Sequence, residues 1–442
     1  MKQAFENIFV KMGVILLLII ILLIPAIMVQ SLIEERQNRH EEAVDEVSAK
    51  HAEGQTVIGP VLTIPYAIPH KPDEPDLPIR IERGVFHILP ESLKIDGDML
   101  PKKRKRGIFE VAVYESQLHY EGDFANIDLV SSGLKEDYLE LEKAYITLGI
   151  SDLKGVLEQV KVDFNGKNYV CEPGVKSSDV ISTGLHINCP IDSLNESLKF
   201  SYDLDLNGSQ YLNFVPIGKE TVVELSSTWK DPSFDGNFIP VNRTVTDSGF
   251  AAEWKILNLN RNYPQSWKGS KHHISHSQFG VDLDLGVDVY QKSMRVAKYA
   301  MLFIVLTYLV FFFVEIINKI LIHPIQYILV GIALVLFYVL MLAFSEQIAF
   351  DYAYLLAAGM TIGLIFIYAK SILKTWGMAL MTSSILTILY GFIFIIIQLQ
   401  DLALLFGSLG VFLILGVTMY FSRKINWFEV GDTTSNTEGE IN

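Results

Sequence analysis

The sequence lacks the short motifs that identify common catalytic sites. It contains no GxSxG, no Walker loop, no HExxH and no GxGxxG in a βαβ context. Without such a motif, the residues point to no named reaction. The sequence therefore predicts a protein that is not an enzyme and that needs no cofactor.

Positive charge and cysteine are also scarce. Residues 31–295 carry 28 Lys and Arg against 41 Asp and Glu, whereas the rest of the chain carries 8 against 9. Because phosphate binding needs an excess of cations, this acidic segment argues against nucleic acid as a partner. The two cysteines are Cys171 and Cys189. An oxidising compartment would allow a disulfide between them, and the alternative is two buried thiols.

The chain has instead six long apolar stretches that are nearly free of charge. A bilayer core of about 30 Å is crossed by roughly 20 apolar helical residues. Lipid offers no water to the backbone, so each stretch must close its own hydrogen bonds as a helix. We therefore predict a membrane α-helical bundle of six spans, one plus five, in contact with the lipid bilayer. The first span is residues 13–30, and the five-helix transmembrane block is residues 297–421, with spans at 299–318, 327–344, 352–369, 378–397 and 402–421.

The short loops predict the orientation of these spans. The N-terminal residues 1–12, the loops 318–326 and 370–377 and the polar tail 422–442 together carry seven Lys and Arg. The loops 345–351 and 398–401 carry none. The positive-inside rule then places both termini in the cytoplasm and the long polar segment outside.

That polar segment divides into a stalk and a β-rich domain. Residues 31–53 are charged and contain neither Gly nor Pro, so we expect the first span to continue as a helical stalk. Residues 54–296 alternate apolar and polar residues in many short runs, which predicts a large extracytoplasmic, mainly antiparallel β domain inserted between spans 1 and 2. We expect hairpins at Asn165-Gly166 and at Asn207-Gly208, because both turn residues favour positive φ.

Other stretches predict individual elements of this domain. The alternation of Val281, Leu283, Leu285, Val287 and Val289 predicts a strand leading to the second span, and residues 134–143 predict a helix. His272, His273 and His276 form HHxxH, which we interpret as a solvated loop rather than a metal site. The aspartates at positions 282, 284 and 288 are interpreted as the wet face of a strand, and the basic run 102–106 as a solvated connection between strands.

A few residues of the membrane block are candidates for function. Glu315 is foremost: a charge at a helix centre costs about 2.5–3.5 kcal/mol, which makes an ionisable residue within a span a functional candidate. Glu315 lies near the inner end of the second span, within a turn of the cytoplasmic surface, so a structural or orienting role is the alternative. We expect Lys319, four residues later, to neutralise it. His323 and Glu346, at the two ends of the third span, are the other candidates. Gly359 and Gly363 form a GxxxG, which predicts helix packing within the chain.

The order of one anchor, an exported β-rich domain and a hydrophobic block is accompanied by a set of specific stretches. These are Ile58-Gly59-Pro60, Ile64-Pro65 and residues 87–91, 105–110, 229–234, 237–240, 248–250, 313–315 and 323–346. In this order and in these residues the chain resembles the CreD family of bacterial inner-membrane proteins. The resemblance implies a role in cell envelope integrity, regulation by a two-component system and altered tolerance to colicins. It implies no catalytic residues.

The leading hypothesis is thus an inner-membrane protein whose periplasmic β-rich domain binds or braces an unidentified envelope component or membrane protein partner. It would act in envelope integrity or in the envelope stress response, without catalysis. One alternative is a membrane-embedded enzyme acting on lipid-linked envelope intermediates, in which Glu315 and His323 would act. The other is a transporter or channel component, which the nearly charge-free span centres do not favour.

Overall fold

The computed structural model describes residues 8–70, 79–130, 132–283, 287–318, 320–399 and 402–423. The chain forms two compact units. The helical unit comprises Met1–His40 and Gly286–Asn442, and the β unit comprises Glu41–Leu285. The predicted fold class is confirmed: six apolar helices accompany a large β domain inserted between the first helix and the rest.

The helices follow the apolar stretches closely. Helix α1 continues past its apolar run, over the residues where a stalk is predicted, and its residues from Glu41 onward belong to the β unit. Among the described residues, five helices are long and apolar enough to cross a membrane, and a shorter apolar stretch, Leu405–Tyr420, lies in the last helix. The helices are α1 Ile8–His51, α2 Val287–Lys298, α3 Ala300–Asn318, α4 Pro324–Ser345, α5 Phe350–Leu373, α6 Trp376–Gln398 and α7 Ala403–Ser422.

Helix α2 corrects one prediction. The alternation across positions 281–289 predicts a strand, but the strand ends at Asp282 and Val287 begins a helix. In the helical unit, Tyr290, Ser293, Val296 and Ala297 are buried, at helical rather than alternate spacing. Packing of this face against α4 and α6 favours the helix over the local alternation. Asp284 and Leu285 lie outside the described residues.

The β unit contains two sheets. One has the order β13-β17-β11-β1-β5-β9-β8, with β2 pairing both β1 and β16. The other has the order β14-β15-β12-β3-β4-β10-β6-β7. The strands are β1 Gln55–His70, β2 Arg80–Ile88, β3 Ser92–Arg106, β4 Phe109–Phe124, β5 Tyr145–Ile150, β6 Lys161–Phe164, β7 Lys167–Val170, β8 Glu172–Pro173, β9 Gly184–Asn188, β10 Leu198–Ser209, β11 Tyr211–Val215, β12 Glu220–Ser227, β13 Ser233–Gly236, β14 Asn242–Thr246, β15 Gly249–Leu257, β16 Ser266–Lys268 and β17 Phe279–Asp282.

The sheets are mainly antiparallel, as predicted, and they share a core. Among the described strands, the parallel pairs are β1 with β11 and β3 with β12. Alternate residues of strands such as β10 and β12 are buried, so these strands present one apolar face to the core. Buried residues of both sheets form one hydrophobic cluster, in which Trp254, Tyr114, Phe124 and Phe214 are large members. The second sheet keeps its other face polar.

The two predicted Asn-Gly hairpins have different outcomes. Asn165 and Gly166 adopt φ of 53° and 78° and join β6 to β7, so the first hairpin is confirmed. The second prediction is wrong, because Asn207 and Gly208 lie inside β10 and pair with β4. A Cβ at position 208 would overlap the Tyr114 ring, so glycine serves close packing there.

The helix predicted at residues 134–143 is also wrong. This segment contains two single 3₁₀ turns, Glu136–Tyr138 and Leu141–Lys143. Leu139 forms a β-bridge to Tyr66, and the Glu140 amide donates to the Pro65 carbonyl at 2.8 Å. Burial of Leu139 and Leu134 in the core therefore draws the segment along the edge of β1 instead of into a helix.

Candidate functional site

Glu315 lies near the end of α3 and is almost fully buried in the helical unit. Its predicted partner, Lys319, lies outside the described residues. The structure supplies a different cation: the Lys11 ammonium of α1 forms an ion pair with Glu315 Oε1. A buried carboxylate needs a partner because desolvation of an unpaired charge costs several kcal/mol. The pair thus joins the first helix to the second span.

Hydrogen bonds complete the surroundings of this carboxylate. The Ile322 amide donates to Glu315 Oε1 at 2.6 Å, and the Tyr327 hydroxyl donates to Oε2 at 2.9 Å. The Tyr308 hydroxyl in turn donates to the Tyr327 carbonyl at 2.6 Å. Both carboxylate oxygens are therefore occupied, and the residues that follow α3 are held against it through Ile322. Such contacts can orient the helices around Glu315, and each of its two carboxylate oxygens has at least one partner among the described residues.

The helices pack closely beside this network. Gly331 of α4 faces Leu22 of α1 and the Tyr308 hydroxyl, and a Cβ at Gly331 would overlap both. Glycine therefore lets α1 and α3 approach α4 at this position.

His323 has a local role in the same region. It precedes α4, where its Nδ1 accepts from the Ile325 amide at 3.3 Å while its own amide donates to Gln326 Oε1 at 2.9 Å. This reciprocal arrangement is a capping box, followed by Pro324 at the first helical position. The geometry makes His323 the cap of α4.

Glu346 ends α4 and forms the second charged cluster. Its side chain is only 7% exposed, and Arg36 Nε of α1 lies 3.5 Å from its Oε1. Tyr290 of α2 lies beside this pair, and its ring centroid is 5.8 Å from that of His40. Burial, and then the negative charge of Glu346, raises the pKa of Tyr290 to about 12. Glu346, at the end of α4, thus contacts both Arg36 of α1 and Tyr290 of α2.

Both predicted carboxylates therefore bind the same helix. Lys11 and Arg36 are 25 positions apart on α1, which corresponds to about 38 Å along a helix. A bilayer is about 40–45 Å thick including its headgroup regions. The two ion pairs are thus spaced to lie at opposite membrane surfaces, where charged groups stay close to water.

The two glycines of the GxxxG motif do not form the predicted contact. A Cβ placed on Gly359 or Gly363 of α5 would meet no described atom within 4 Å. The prediction of packing within the chain is therefore wrong. The close approach occurs at Gly331 instead, which no GxxxG pattern marks.

The two cysteines are free thiols, which contradicts the disulfide hypothesis. Cys171 follows β7 of the eight-stranded sheet, whereas Cys189 follows β9 of the other sheet. Each is held by its own backbone hydrogen bond, to Val160 and to Ala144 respectively. Burial raises the pKa of each thiol to about 12, so both are kept as neutral apolar groups.

The basic run at residues 102–106 lies within a strand, so its interpretation as a solvated connection between strands is wrong. It occupies the end of β3, and its cations pair with glutamates. Lys103 and Lys105 each lie 3.3 Å from Glu110 of β4, and Arg106 Nε lies 2.8 Å from Glu46 of α1. These residues all belong to the β unit. The run is therefore largely neutralised within the protein.

The HHxxH stretch lies outside regular strands. His272 packs against the Trp267 ring, and His276 lies in a 3₁₀ turn, Ser275–Ser277. Across the described residues, no group of three or more His, Cys, Asp or Glu is placed to hold a metal ion.

Sequence reasoning missed a buried histidine in the β unit. His87 of β2 is 2% exposed, and its Nδ1 shares a hydrogen bond of 3.0 Å with Thr63 Oγ1. Its Nε2 lies 3.5 Å from Asp179 Oδ2. Burial lowers the pKa of His87, and Asp179 partly opposes that shift. In the sequence, His87 is a lone histidine between apolar residues, and this pattern does not predict its contacts with Thr63 and Asp179.

Sequence reasoning also missed an acidic groove on the polar face of the eight-stranded sheet. The groove has a volume of about 860 Å³. In the sequence, this groove is indicated by aspartates two positions apart, at 96 and 98 and at 203 and 205. Alternate residues of a strand lie on the same face of the sheet. Its charged lining residues are Asp96, Asp98, Glu158, Asp203, Asp205, Glu224, Glu253, His119 and Arg243.

Carboxylates outnumber cations in this groove, and some of them are already paired. His119 Nδ1 lies 2.6 Å from Asp203 Oδ1. The side chains of Glu158, Asp205 and Glu224 form no ion pair with the residues that the structure describes. The groove is therefore a concave surface of negative potential.

Comparison with known proteins agrees with the family resemblance. A family profile described as inner membrane protein CreD matches residues 7–428. The chain belongs to the CreD family. A curated relative, the inner membrane protein CreD of Escherichia coli strain K12, is 32% identical over 422 residues, which cover 94% of this chain and 92% of that protein. Membership of the family, together with the apolar helices, makes this a multi-pass inner-membrane protein.

The CreD family model thus spans both units, since it runs from the first helix to the end of α7. Among solved structures, an M1 zinc metallopeptidase from Deinococcus radiodurans aligns with 39% of this chain and 39% of its own, at 9% identity and a TM-score of 0.19. A TM-score this low carries no argument about fold or activity.

Proposed function

We propose that this protein supports cell envelope integrity, or the envelope stress response, without catalysing a reaction. In this proposal its β unit lies in the periplasm and binds a cationic envelope component. Both termini lie in the cytoplasm, as the positive-inside pattern of the short loops favours. The acidic groove is the observation that carries the proposal.

Shape and charge both support binding at the groove. A concavity of about 860 Å³ lies within the range of ligand pockets, about 300–1,000 Å³. Its excess of carboxylates attracts cations and repels anions. A segment or small molecule carrying several positive charges would therefore be the favoured ligand class.

Groove carboxylates that form no ion pair with the described residues give the sharpest test. In a strain that lacks the native gene, the variant Glu158→Gln, Asp205→Asn, Glu224→Gln should fail to restore normal survival in detergent or envelope-active antibiotics. A matched control, Glu136→Gln, Asp137→Asn, Glu196→Gln, removes three exposed carboxylates outside the groove and should restore it. Full complementation by the groove variant, at equal protein level, would refute the proposal.

Orientation has its own test. A reporter enzyme that is active only in the periplasm, fused near Asn207, should be active, and a fusion after Arg423 should be inactive. The reverse result would refute the periplasmic placement.

The alternative of a membrane-embedded enzyme has less support. Its two candidate residues are Glu315 and His323. Glu315 is occupied by Lys11, Ile322 and Tyr327, and His323 caps α4. Complementation that survives Glu315→Gln with His323→Asn, in protein that remains folded, would remove this alternative.

A further inference from the structure

We propose that α2 binds the phosphates of anionic phospholipid headgroups, at the end of the helical unit where Glu346 lies. The cations concerned are Arg295 and Lys298 in the last turn, with Lys292 one turn earlier.

Position along the chain places these cations at headgroup depth. Helix α3, which starts the apolar span, begins at Ala300. Arg295 precedes it by five residues and Lys298 by two, which is at most about 8 Å of helix. The headgroup layer on each side of a bilayer core is about 5–8 Å thick. Both cations therefore lie within reach of lipid phosphates.

Packing fixes which side of α2 these cations occupy. Tyr290, Ser293 and Val296 are buried, and the Gln30 amide of α1 donates to the Ala297 carbonyl at 3.3 Å. This holds one face of α2 on the bundle. Lys298 is exposed and Arg295 is half-buried, so the opposite side of the helix is the charged one. The cationic side of α2 therefore faces away from the bundle.

Arg295 and Lys298 form no ion pair with the residues that the structure describes, in contrast to Lys103, Lys105 and Arg106 at the β3 end, which pair with glutamates. Lys292 lies with its ammonium 6.0 Å from the centre of the Phe350 ring. Two cations that form no ion pair with the described residues, beside the apolar span, match an anionic lipid surface.

The test uses the full-length protein, purified in a neutral detergent and titrated with phosphatidylglycerol, with bound lipid counted by native mass spectrometry. Phosphatidylglycerol should bind more tightly than phosphatidylcholine. The variant Arg295→Gln, Lys298→Gln should weaken phosphatidylglycerol binding by about fivefold for each charge removed. Binding of phosphatidylcholine should not change.

A matched control removes two cations elsewhere. The variant Arg104→Gln, Lys105→Gln lies at the β3 end and should leave phosphatidylglycerol binding unchanged. If the double variant of α2 does not fold, Lys298→Gln alone serves, because this side chain is exposed. Equal binding of the two lipids, or an unchanged affinity in a folded α2 variant, would overturn the proposal. Displacement of the lipid by an equal concentration of inorganic phosphate would also overturn it.

Discussion

Lys11 and Glu315 are 304 positions apart in the chain and form a buried ion pair in the helical unit. Arg36 and Glu346 form a second pair along the same first helix. Helix α1 is thus fixed to α3 and to the end of α4 by charge at two levels, in addition to apolar packing. The stability of the helical unit should therefore depend on these two pairs, to different degrees.

Breaking the Lys11–Glu315 pair should be strongly destabilising. Glu315→Ala leaves the Lys11 ammonium without its partner, and the loss should be about 3–5 kcal/mol in the free energy of unfolding. The double variant Lys11→Met, Glu315→Leu should recover part of that loss, because no unpaired charge remains. Denaturant unfolding in detergent measures both. Glu35→Gln, which removes an exposed pair with Arg39, is the control and should cost at most about 1 kcal/mol.

The Arg36–Glu346 pair should respond asymmetrically. Glu346 is 7% exposed, whereas Arg36 is 35% exposed. Arg36→Gln leaves a buried carboxylate unpaired, but Glu346→Gln leaves a cation that can reach water. Unfolding measurements should therefore show a larger loss of stability for Arg36→Gln. Equal losses would mean that Glu346 is more solvated than its burial indicates.

Glycine substitutions should separate close packing from open surface. Gly331→Ala places a methyl group against Leu22 and Tyr308 and should cost about 1–3 kcal/mol. Gly359→Ala and Gly363→Ala meet open space and should not lower the unfolding temperature. A destabilised Gly359→Ala variant would indicate a contact that the single chain does not contain.

His87 should make the β unit less stable in mild acid. Its pKa in the folded protein lies below the ordinary value of 6.5, because burial disfavours the charged ring. The unfolded chain therefore binds the proton first, and stability is lost as the pH falls below 6.5. His87→Gln should reduce this dependence between pH 7.5 and pH 5, measured by thermal unfolding.

The thiols should be unbridged and slow to react. Because burial raises the pKa of Cys171 and Cys189, the thiolate is rare at neutral pH. Native protein should resist maleimide. After unfolding without a reducing agent, mass spectrometry should find both cysteines alkylated. A single disulfide-linked peptide from periplasmically folded protein would contradict this.

The elements that the sequence predicts well are those that local physics decides. Lipid imposes helices on residues such as 327–344 whatever surrounds them, and the Asn165-Gly166 turn follows from its own backbone preference. Asn207-Gly208 carries the same local signal, but twelve residues of pairing between β10 and β4 outweigh it. Val287 and Val289 alternate as in a strand, yet burial of Tyr290 and Val296 against the bundle makes the segment a helix.

Only part of the candidate functional site could be predicted from the sequence. Glu315 stands out because a carboxylate in an apolar run is costly, and the sequence shows that directly. Its partner Lys11 could not be found in this way, since contact between residues so far apart depends on how the helices assemble. The acidic groove has the same origin, because its carboxylates come from strands that are distant in the chain and adjacent in the sheet.

The pairing of Lys11 with Glu315 also sets an order for biogenesis. At about 5–20 residues per second, a ribosome needs about 15–60 s to reach Glu315 after Lys11 has been made. During that interval the first helix is made without the later helices, while the ribosome synthesises the entire β unit. The last five helices must therefore associate with a first helix that was made before them. The carboxylate of Glu315 then supplies the ion pair that joins α3 to Lys11 of that helix.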